Sequence, residues 1–224
     1  MKTDKFNEIK DGIISRAREA FACRKEFRRA YKSETLAELM QVVKDNFEWA
    51  YENKVITSSF IKEYEEEFAK NNIWLNRDVI NGHLLCVDSS VKACGHSLVV
   101  ARGNSSVEAY GDTSVEVHSD SSVVAYDNSS VKAYHCSSVA AFDNSSVEVF
   151  GDSSVVAYDN SSVEAHNSSS VKAYGKSSVK AFDHSIVITA FPGVECLVFD
   201  NAIHRALPEN KIYYASDSTE FVKQ

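Results

Sequence analysis

An eight-residue repeat constrains the fold of this 224-residue chain more than any other feature of its sequence. Twelve consecutive octads run from Ser89 to His184, and the third position is Val in all twelve. The first position is Ser in eleven octads, and the fifth is Ala in ten. Such a repeat is typical of stacked architectures, because a single short unit cannot bury its apolar face alone.

Each octad predicts one short strand followed by one corner. Side chains alternate faces along a strand, so the Ser, Val and Ala at positions one, three and five point to the core. Position four holds charged residues such as Lys92 and Glu148, which must then face outward. Positions seven and eight hold mainly Gly, Asp, Asn, Ser and His, which tolerate the left-handed backbone of a tight turn.

The spacing of like residues predicts how many octads form one coil. Asp-Asn pairs at 127–128, 143–144 and 159–160 align at sixteen-residue spacing, and a twenty-four-residue coil scatters them. We therefore expect a two-sided β-solenoid (β-helix) of about 16 residues per coil, with Asn side chains bonded along the axis. Gene duplication explains the same pattern without that geometry, since 121–128 and 153–160 are identical.

The residues before the repeat predict helices. Apolar side chains recur at three- and four-residue spacing from Phe6 to Phe21, from Leu36 to Phe47 and from Ile61 to Phe68. Thr35 and Glu38 fit a capping box that should start the second of these helices. We expect a small bundle of three amphipathic helices.

Charge and composition divide the chain into domains. The net charge of −8 lies wholly after residue 80, where Ser, Val, Ala and Tyr replace Lys, Glu, Phe and Leu as the common residues. The prediction is an α+β chain with a helical capping or interaction domain (1–80), an octapeptide-repeat β-solenoid (81–192) and a C-terminal cap (193–224). Caps are expected because open solenoid ends expose unpaired strand edges. Three further strands are expected beyond the repeat, at Ile186–Thr189, Cys196–Phe199 and Lys211–Tyr214.

No residue pattern indicates catalysis. Phosphate-loop, dinucleotide-binding and HExxH motifs are absent, and Ser, His and Asp are so abundant in the repeat that a catalytic triad can be drawn anywhere. The five Cys form no CxxC pair, and His135-Cys136 has no second ligand pair at metal-binding spacing. We expect a non-enzymatic protein without a cofactor or metal. The polar N-terminus predicts a cytoplasmic protein that does not engage a membrane.

The sixth octad position is aromatic in eight octads, which leaves two interpretations open. If these rings face outward, residues such as Tyr126 and Tyr158 form a surface on which bases or a partner can stack. If the rings turn into the corner, they stabilise their neighbours along the stack.

The acidic residues favour a binding function. Residues 103–168 contain ten Asp and Glu against Lys132 alone, a net charge of −9. Spread over about four coils, this is about one charge per 2 Å, close to the one per ~1.7 Å of duplex DNA. We therefore expect the rod to engage a protein partner, as a DNA or RNA mimic that inhibits a nucleic-acid-binding host or defence enzyme, and not to bind nucleic acid itself. The predicted contacts are Glu108, Glu116, Asp127, Asp143, Glu148 and Asp159.

A basic run lies in the helical part. Arg24, Lys25, Arg28, Arg29 and Lys32 share one face if this segment is a helix. Arg24 and Arg28 are therefore also candidate contacts. Three roles stay open: a grip on nucleic acid, docking on the acidic rod of another copy, or a solvated helix face.

The octad, written Ser-Ser-Val-Val-Ala-Tyr-Asp-Asn at 121–128, resembles octapeptide-repeat proteins of gut bacteria, phages and mobile elements. The segments 39–49 and 53–56 are similar to the N-terminal region of those proteins. The resemblance implies a β-solenoid with a helical N-terminal region. Two other functions stay open: a self-assembling structural scaffold that forms homo-oligomers, and a module that binds ice or glycan surfaces. With one Thr in the repeat and charges at position four, the chain departs from flat Thr-rich ice-binding solenoids.

Overall fold

The computed structural model describes residues 5–215 and 222–223 of the chain. The chain forms two compact units: a helical unit of residues 1–75 and 82–85, and a solenoid unit of residues 76–81 and 86–224. Residues 1–4, 216–221 and 224, which belong to the predicted N-terminal and C-terminal domains, lie outside the described part. Within that part, no helix combines the length and the apolar character needed to span a lipid bilayer.

Among the described residues, the helical unit contains six helices where the apolar spacing predicted three. Asn46 and Tyr64 interrupt two of the predicted helices, because their backbones leave the helical region at φ −130° and −115°. The second helix was not among the three, since Ala30 is its one buried residue among those described and it has no apolar stripe. The helices are α1 (Lys5–Glu19), α2 (Arg24–Lys32), α3 (Leu36–Asp45), α4 (Phe47–Glu52), α5 (Ser58–Glu63) and α6 (Glu65–Ala69).

The capping box predicted at the start of α3 is present in part. Thr35 makes the expected bond, and Glu38 bonds one residue earlier than expected. The amide of Glu38 donates to Thr35 Oγ1 (3.2 Å). The Glu38 carboxylate accepts from the amide of Glu34 (2.8 Å), one residue before the cap, and so still satisfies a free amide at this helix start.

The helical unit encloses its own apolar core. Ile9, Leu39, Met40, Ile61 and Phe68 have at most 1% of their surface exposed. This unit also contains a parallel strand pair, in which Ile73–Leu75 lies beside residues 83–85.

Twenty short strands follow the helices, and most of them contain four residues. They are β1 (Ile73–Leu75), β2 (Val79–Ile80), β3 (His83–Val87), β4 (Ser90–Cys94), β5 (Leu98–Arg102), β6 (Ser106–Ala109), β7 (Ser114–Val117), β8 (Ser122–Ala125), β9 (Ser130–Ala133), β10 (Ser138–Ala141), β11 (Ser146–Val149), β12 (Ser154–Ala157), β13 (Ser162–Ala165), β14 (Ser170–Ala173), β15 (Ser178–Ala181), β16 (Ile186–Thr189), β17 (Glu195–Val198), β18 (Ile203–Ala206), β19 (Lys211–Tyr214) and β20 (Val222–Lys223).

The solenoid unit confirms the two-sided coil of two octads. Successive strands alternate between two parallel sheets, so each strand pairs with the strand one full coil away. Sheet 1 contains β5, β7, β9, β11, β13, β15 and β17; sheet 2 contains the even-numbered strands from β2 to β18, then β19 and β20. The register is sixteen residues, as Val123, Val139 and Val155 show in sheet 2.

The octad positions take the environments that strand alternation predicts. Position three has at most 2% of its surface exposed in all twelve octads, and position five is fully buried. Position seven adopts a left-handed backbone in every octad, as at Asp127 (φ 57°) and Gly111 (φ 72°). The four-residue strand and the tight corner therefore both follow from the repeat.

Strands continue past the repeat, as predicted for Ile186–Thr189 and Lys211–Tyr214. The register there lengthens to seventeen residues, with Ile186 paired to Ile203. The additional residue falls in the connection between β16 and β17, which contains Pro192-Gly193. Sheet 2 then ends with β19 and β20, which pair antiparallel.

Candidate functional site: the aspartate corner

Four aspartates line one edge of the solenoid unit, at the corners that follow β6, β8, β10 and β12 of sheet 2. We call Asp112, Asp127, Asp143 and Asp159 the aspartate corner. All four side chains are exposed. Because consecutive coils are stacked at strand spacing, Asp127, Asp143 and Asp159, which share position seven, follow one another at intervals of ~4.8 Å. Asp112 occupies position eight in the coil before Asp127.

Backbone amides of neighbouring coils hold three of these carboxylates in place. The amide of Gly111 donates to Asp127 Oδ2 (2.9 Å), that of Asp127 donates to Asp143 Oδ2 (3.2 Å), and that of Asp143 donates to Asp159 Oδ2 (3.4 Å). Aspartate suits position seven because it tolerates the left-handed backbone and accepts an amide that the turn leaves free. The negative charges are thus fixed in a line and remain accessible.

The axial bonds at this corner differ from the predicted Asn ladder. The Asn128 amide group donates to Asp112 Oδ1 (3.3 Å), while the backbone amides of Asn144 and Asn160 donate to the carbonyls of Asp127 and Asp143 (both 2.9 Å). Aspartate side chains and backbone groups therefore make the axial contacts described here. Asp112, at position eight of its octad, was not among the predicted contacts.

Two predicted contacts, Glu108 and Glu148, lie away from the corner and are paired with lysines. Glu108 on β6 in sheet 2 binds Lys92 (2.8 Å), and Glu148 on β11 in sheet 1 binds Lys132 (3.2 Å). The hydrogen bond from Lys92, aided by one from Tyr110, holds the pKa of Glu108 below its usual value. These two glutamates face outward from opposite sheets, so they do not join the aspartates in one surface.

Glu116, another predicted contact, is buried, which differs from the outward-facing side chain expected at position four. Its exposed fraction is 9%, and its carboxylate hydrogen-bonds to His118 Nε2.

The aromatic residues of sheet 2 form one continuous stack. Ring centroids of Tyr110, Tyr126, Phe142, Tyr158 and Tyr174 are 4.8 to 5.2 Å apart, and the rings are nearly parallel. Because both faces of Tyr126 and Tyr158 are covered by neighbouring rings, only ring edges are left for a partner. This geometry favours the interpretation in which the rings stabilise their neighbours and disfavours base stacking.

The predicted basic contacts lie in the helical unit. Arg24 and Arg28 are exposed on α2, and so is Lys32. Arg29, by contrast, binds Glu26 (2.5 Å) and Asp45 (2.6 Å).

Phe21 is an exposed aromatic residue, and the sequence did not predict its exposure. The apolar spacing placed it in the first helix, but α1 ends at Glu19. Phe21 follows in a left-handed turn (φ 53°) with 92% of its surface exposed. Periodicity gave no signal for this, because its spacing continues the stripe of α1.

No protein-family model, curated protein or solved structure matches this chain.

Proposed function

We propose that this protein is a non-enzymatic binding protein that presents the aspartate corner to a positively charged protein partner. The observation that carries the proposal is the line of four exposed carboxylates. Three of them are held by backbone hydrogen bonds, so little side-chain entropy is lost when a partner binds them.

Enzymes that bind nucleic acid are the partner class that fits this charge pattern. The corner carries one negative charge per ~4.8 Å, compared with one per ~3.4 Å along a single DNA strand. Lysines neutralise Glu108 and Glu148. The proposed mimicry is therefore confined to one edge, which resembles one phosphate backbone more than a whole duplex.

Neutralising the corner tests the proposal. The corner-neutral variant, Asp127→Asn with Asp143→Asn and Asp159→Asn, removes three charges and keeps an oxygen acceptor. Asn167 shows that the fold accepts this change, since its Oδ1 accepts from the amide of Gly151 (3.1 Å) at the opposite corner. The matched control removes three charges from that opposite corner, by Asp120→Asn, Asp152→Asn and Asp183→Asn.

The measurement is capture of proteins from lysate on immobilised chain, with and without excess duplex DNA. We expect a DNA-binding protein that is retained by the wild type and the control, lost with the corner-neutral variant and released by DNA. Equal capture by the corner-neutral variant, or capture that DNA leaves unchanged, contradicts the proposal.

A further inference from the structure

The outward face of α2 carries three cations in a row. Arg24, Arg28 and Lys32 are four residues apart, so their side chains follow one line along the helix at intervals of ~6 Å. All three are exposed, and within the described residues no acidic group lies within 4.0 Å of them. Arg29 on the same helix shows the contrast, because two carboxylates of the helical unit already bind it.

An exposed aromatic residue precedes this cationic row in the chain. Phe21 precedes Arg24 by three residues and is 92% exposed. A non-glycine residue in left-handed backbone costs of order 1 kcal/mol, and exposing a phenyl ring to water is a further cost. A partner that covers the Phe21 ring removes the cost of exposing it to water.

The solenoid unit presents a complementary arrangement. The aspartate corner extends over about 14 Å in four coils, and the α2 cations extend over about 12 Å. The acidic residues of the corner end at both sides of this span. His96 takes the place of Asp112 one coil earlier, and Lys176 takes the place of Asn160 one coil later, so the length of the corner is close to that of the cationic row. Three residues before each of the other three aspartates lie Val124, Ala140 and Val156, an uncharged, half-buried column on the outer face of sheet 2.

From this match we infer that α2 of one chain docks on the aspartate corner of a second copy of the same chain. The cations of α2 meet the carboxylates, and Phe21 packs on the column of Val124, Ala140 and Val156. The inference rests on the proposed function, because both use the aspartate corner as the recognised surface. It adds the element that recognises the aspartate corner, namely α2 of another copy of the chain.

A second copy fits α2 better than nucleic acid does. A phosphate backbone satisfies the cations but offers no apolar column for Phe21, whereas the solenoid unit offers both carboxylates and the uncharged column of Val124, Ala140 and Val156. Binding of duplex DNA by α2 is therefore the alternative that the experiment must exclude.

The test is sedimentation equilibrium of the purified chain at about 200 μM, a concentration that populates micromolar contacts. We expect a weight-average mass at least twice that of one chain at about 50 mM salt, falling to one chain at about 500 mM. The helix-reversed variant (Arg24→Glu, Arg28→Glu, Lys32→Glu) and the corner-neutral variant should each remain monomeric. A control that reverses Lys54, Lys62 and Lys70 to Glu makes the same charge change elsewhere in the helical unit and should associate like the wild type.

Mixing the two monomeric variants is the decisive step. The helix-reversed chain retains the aspartate corner and the corner-neutral chain retains α2, so the mixture should form a heterodimer, with a weight-average mass that rises above that of one chain toward a limit of two. Circular dichroism of each variant shows whether its fold is intact.

Three results overturn the inference. The first is a monomeric wild type at low salt, including one that binds a duplex through Arg24 and Arg28. The others are association of either folded variant alone and no recovery on mixing. Failure of the proposed function is separable, since the helix-reversed variant should still capture a DNA-releasable partner from lysate whether or not the chain self-associates.

Discussion

Ser137 shows why the first octad position admits so little besides serine. Its hydroxyl is fully buried and lies 2.7 Å from the carbonyl of Tyr134 and 3.1 Å from that of Ser119 in the coil before. Both carbonyls belong to corners, where the strand ladder supplies no donor. Serine is small enough to fit beside the Val and Ala of the core, and it supplies the donor that these corner carbonyls need.

We predict that Ser137→Ala lowers the free energy of unfolding by about 1–3 kcal/mol, because the carbonyls of Tyr134 and Ser119 lose the donor that the buried hydroxyl supplies. Ser138→Ala, one residue later on the exposed face, should change it by less than about 0.5 kcal/mol. Urea unfolding followed by circular dichroism measures both. Equal effects of the two substitutions would show that the inward hydroxyl is not the stabilising group.

At the scale of an element, β18 contains a source of pH dependence below neutral pH. His204 on this strand is buried, with Nε2 2.9 Å from Thr189 Oγ1, and its ring stacks on Tyr213. Burial lowers the pKa of His204, and Glu209 opposes the shift. The unfolded chain therefore binds a proton more readily than the folded one, and stability falls as pH drops below about 6.5.

The urea midpoint of the wild type should accordingly fall between about pH 7.5 and 5.5. His204→Gln keeps a hydrogen-bonding side chain beside Thr189 and removes the titration, so its midpoint should fall less over the same range. His184→Gln, at an exposed corner, serves as the control and should follow the wild type. Parallel pH profiles for all three proteins would assign the effect to other groups.

The octad predicted the strands, the corners and the coil because each position meets the same environment twelve times. It also contained a signal that the predicted contacts overlooked. Alternate octads belong to opposite sheets, so Glu108 in the third octad and Glu148 in the eighth must face outward from different sheets. The breaks at Asn46 and Tyr64 and the exposure of Phe21 have no such signal, because apolar spacing records which faces are buried and not where the backbone leaves the helix.

At the scale of the whole solenoid, one coil is interchangeable with the next. Removing residues 137–152 brings Asp159 above Asp127 and Glu164 above Lys132, which recreates the contacts that Asp143 and Glu148 make now. We expect this sixteen-residue deletion to fold and to unfold cooperatively, with the loss of one coil of burial.

A fifteen-residue deletion, 140–154, is the matched control. It joins Val139 to Val155, so that Val155 takes the outward place of Ala140 and Glu164 takes the buried place of Val149. This variant should lose far more stability than the sixteen-residue deletion when both are melted under the same conditions. Similar melting of the two would mean that register does not determine the stability of the coil.

The constant sixteen-residue register has a kinetic consequence. Each strand finds its partner across a loop of the same small size, wherever it lies in the repeat. The entropy lost on closing that loop is therefore the same for each coil and does not grow with the number of coils. Folding can begin at any pair of neighbouring coils and spread in both directions, so lengthening the repeat lengthens the solenoid without making its slowest contact more remote in sequence.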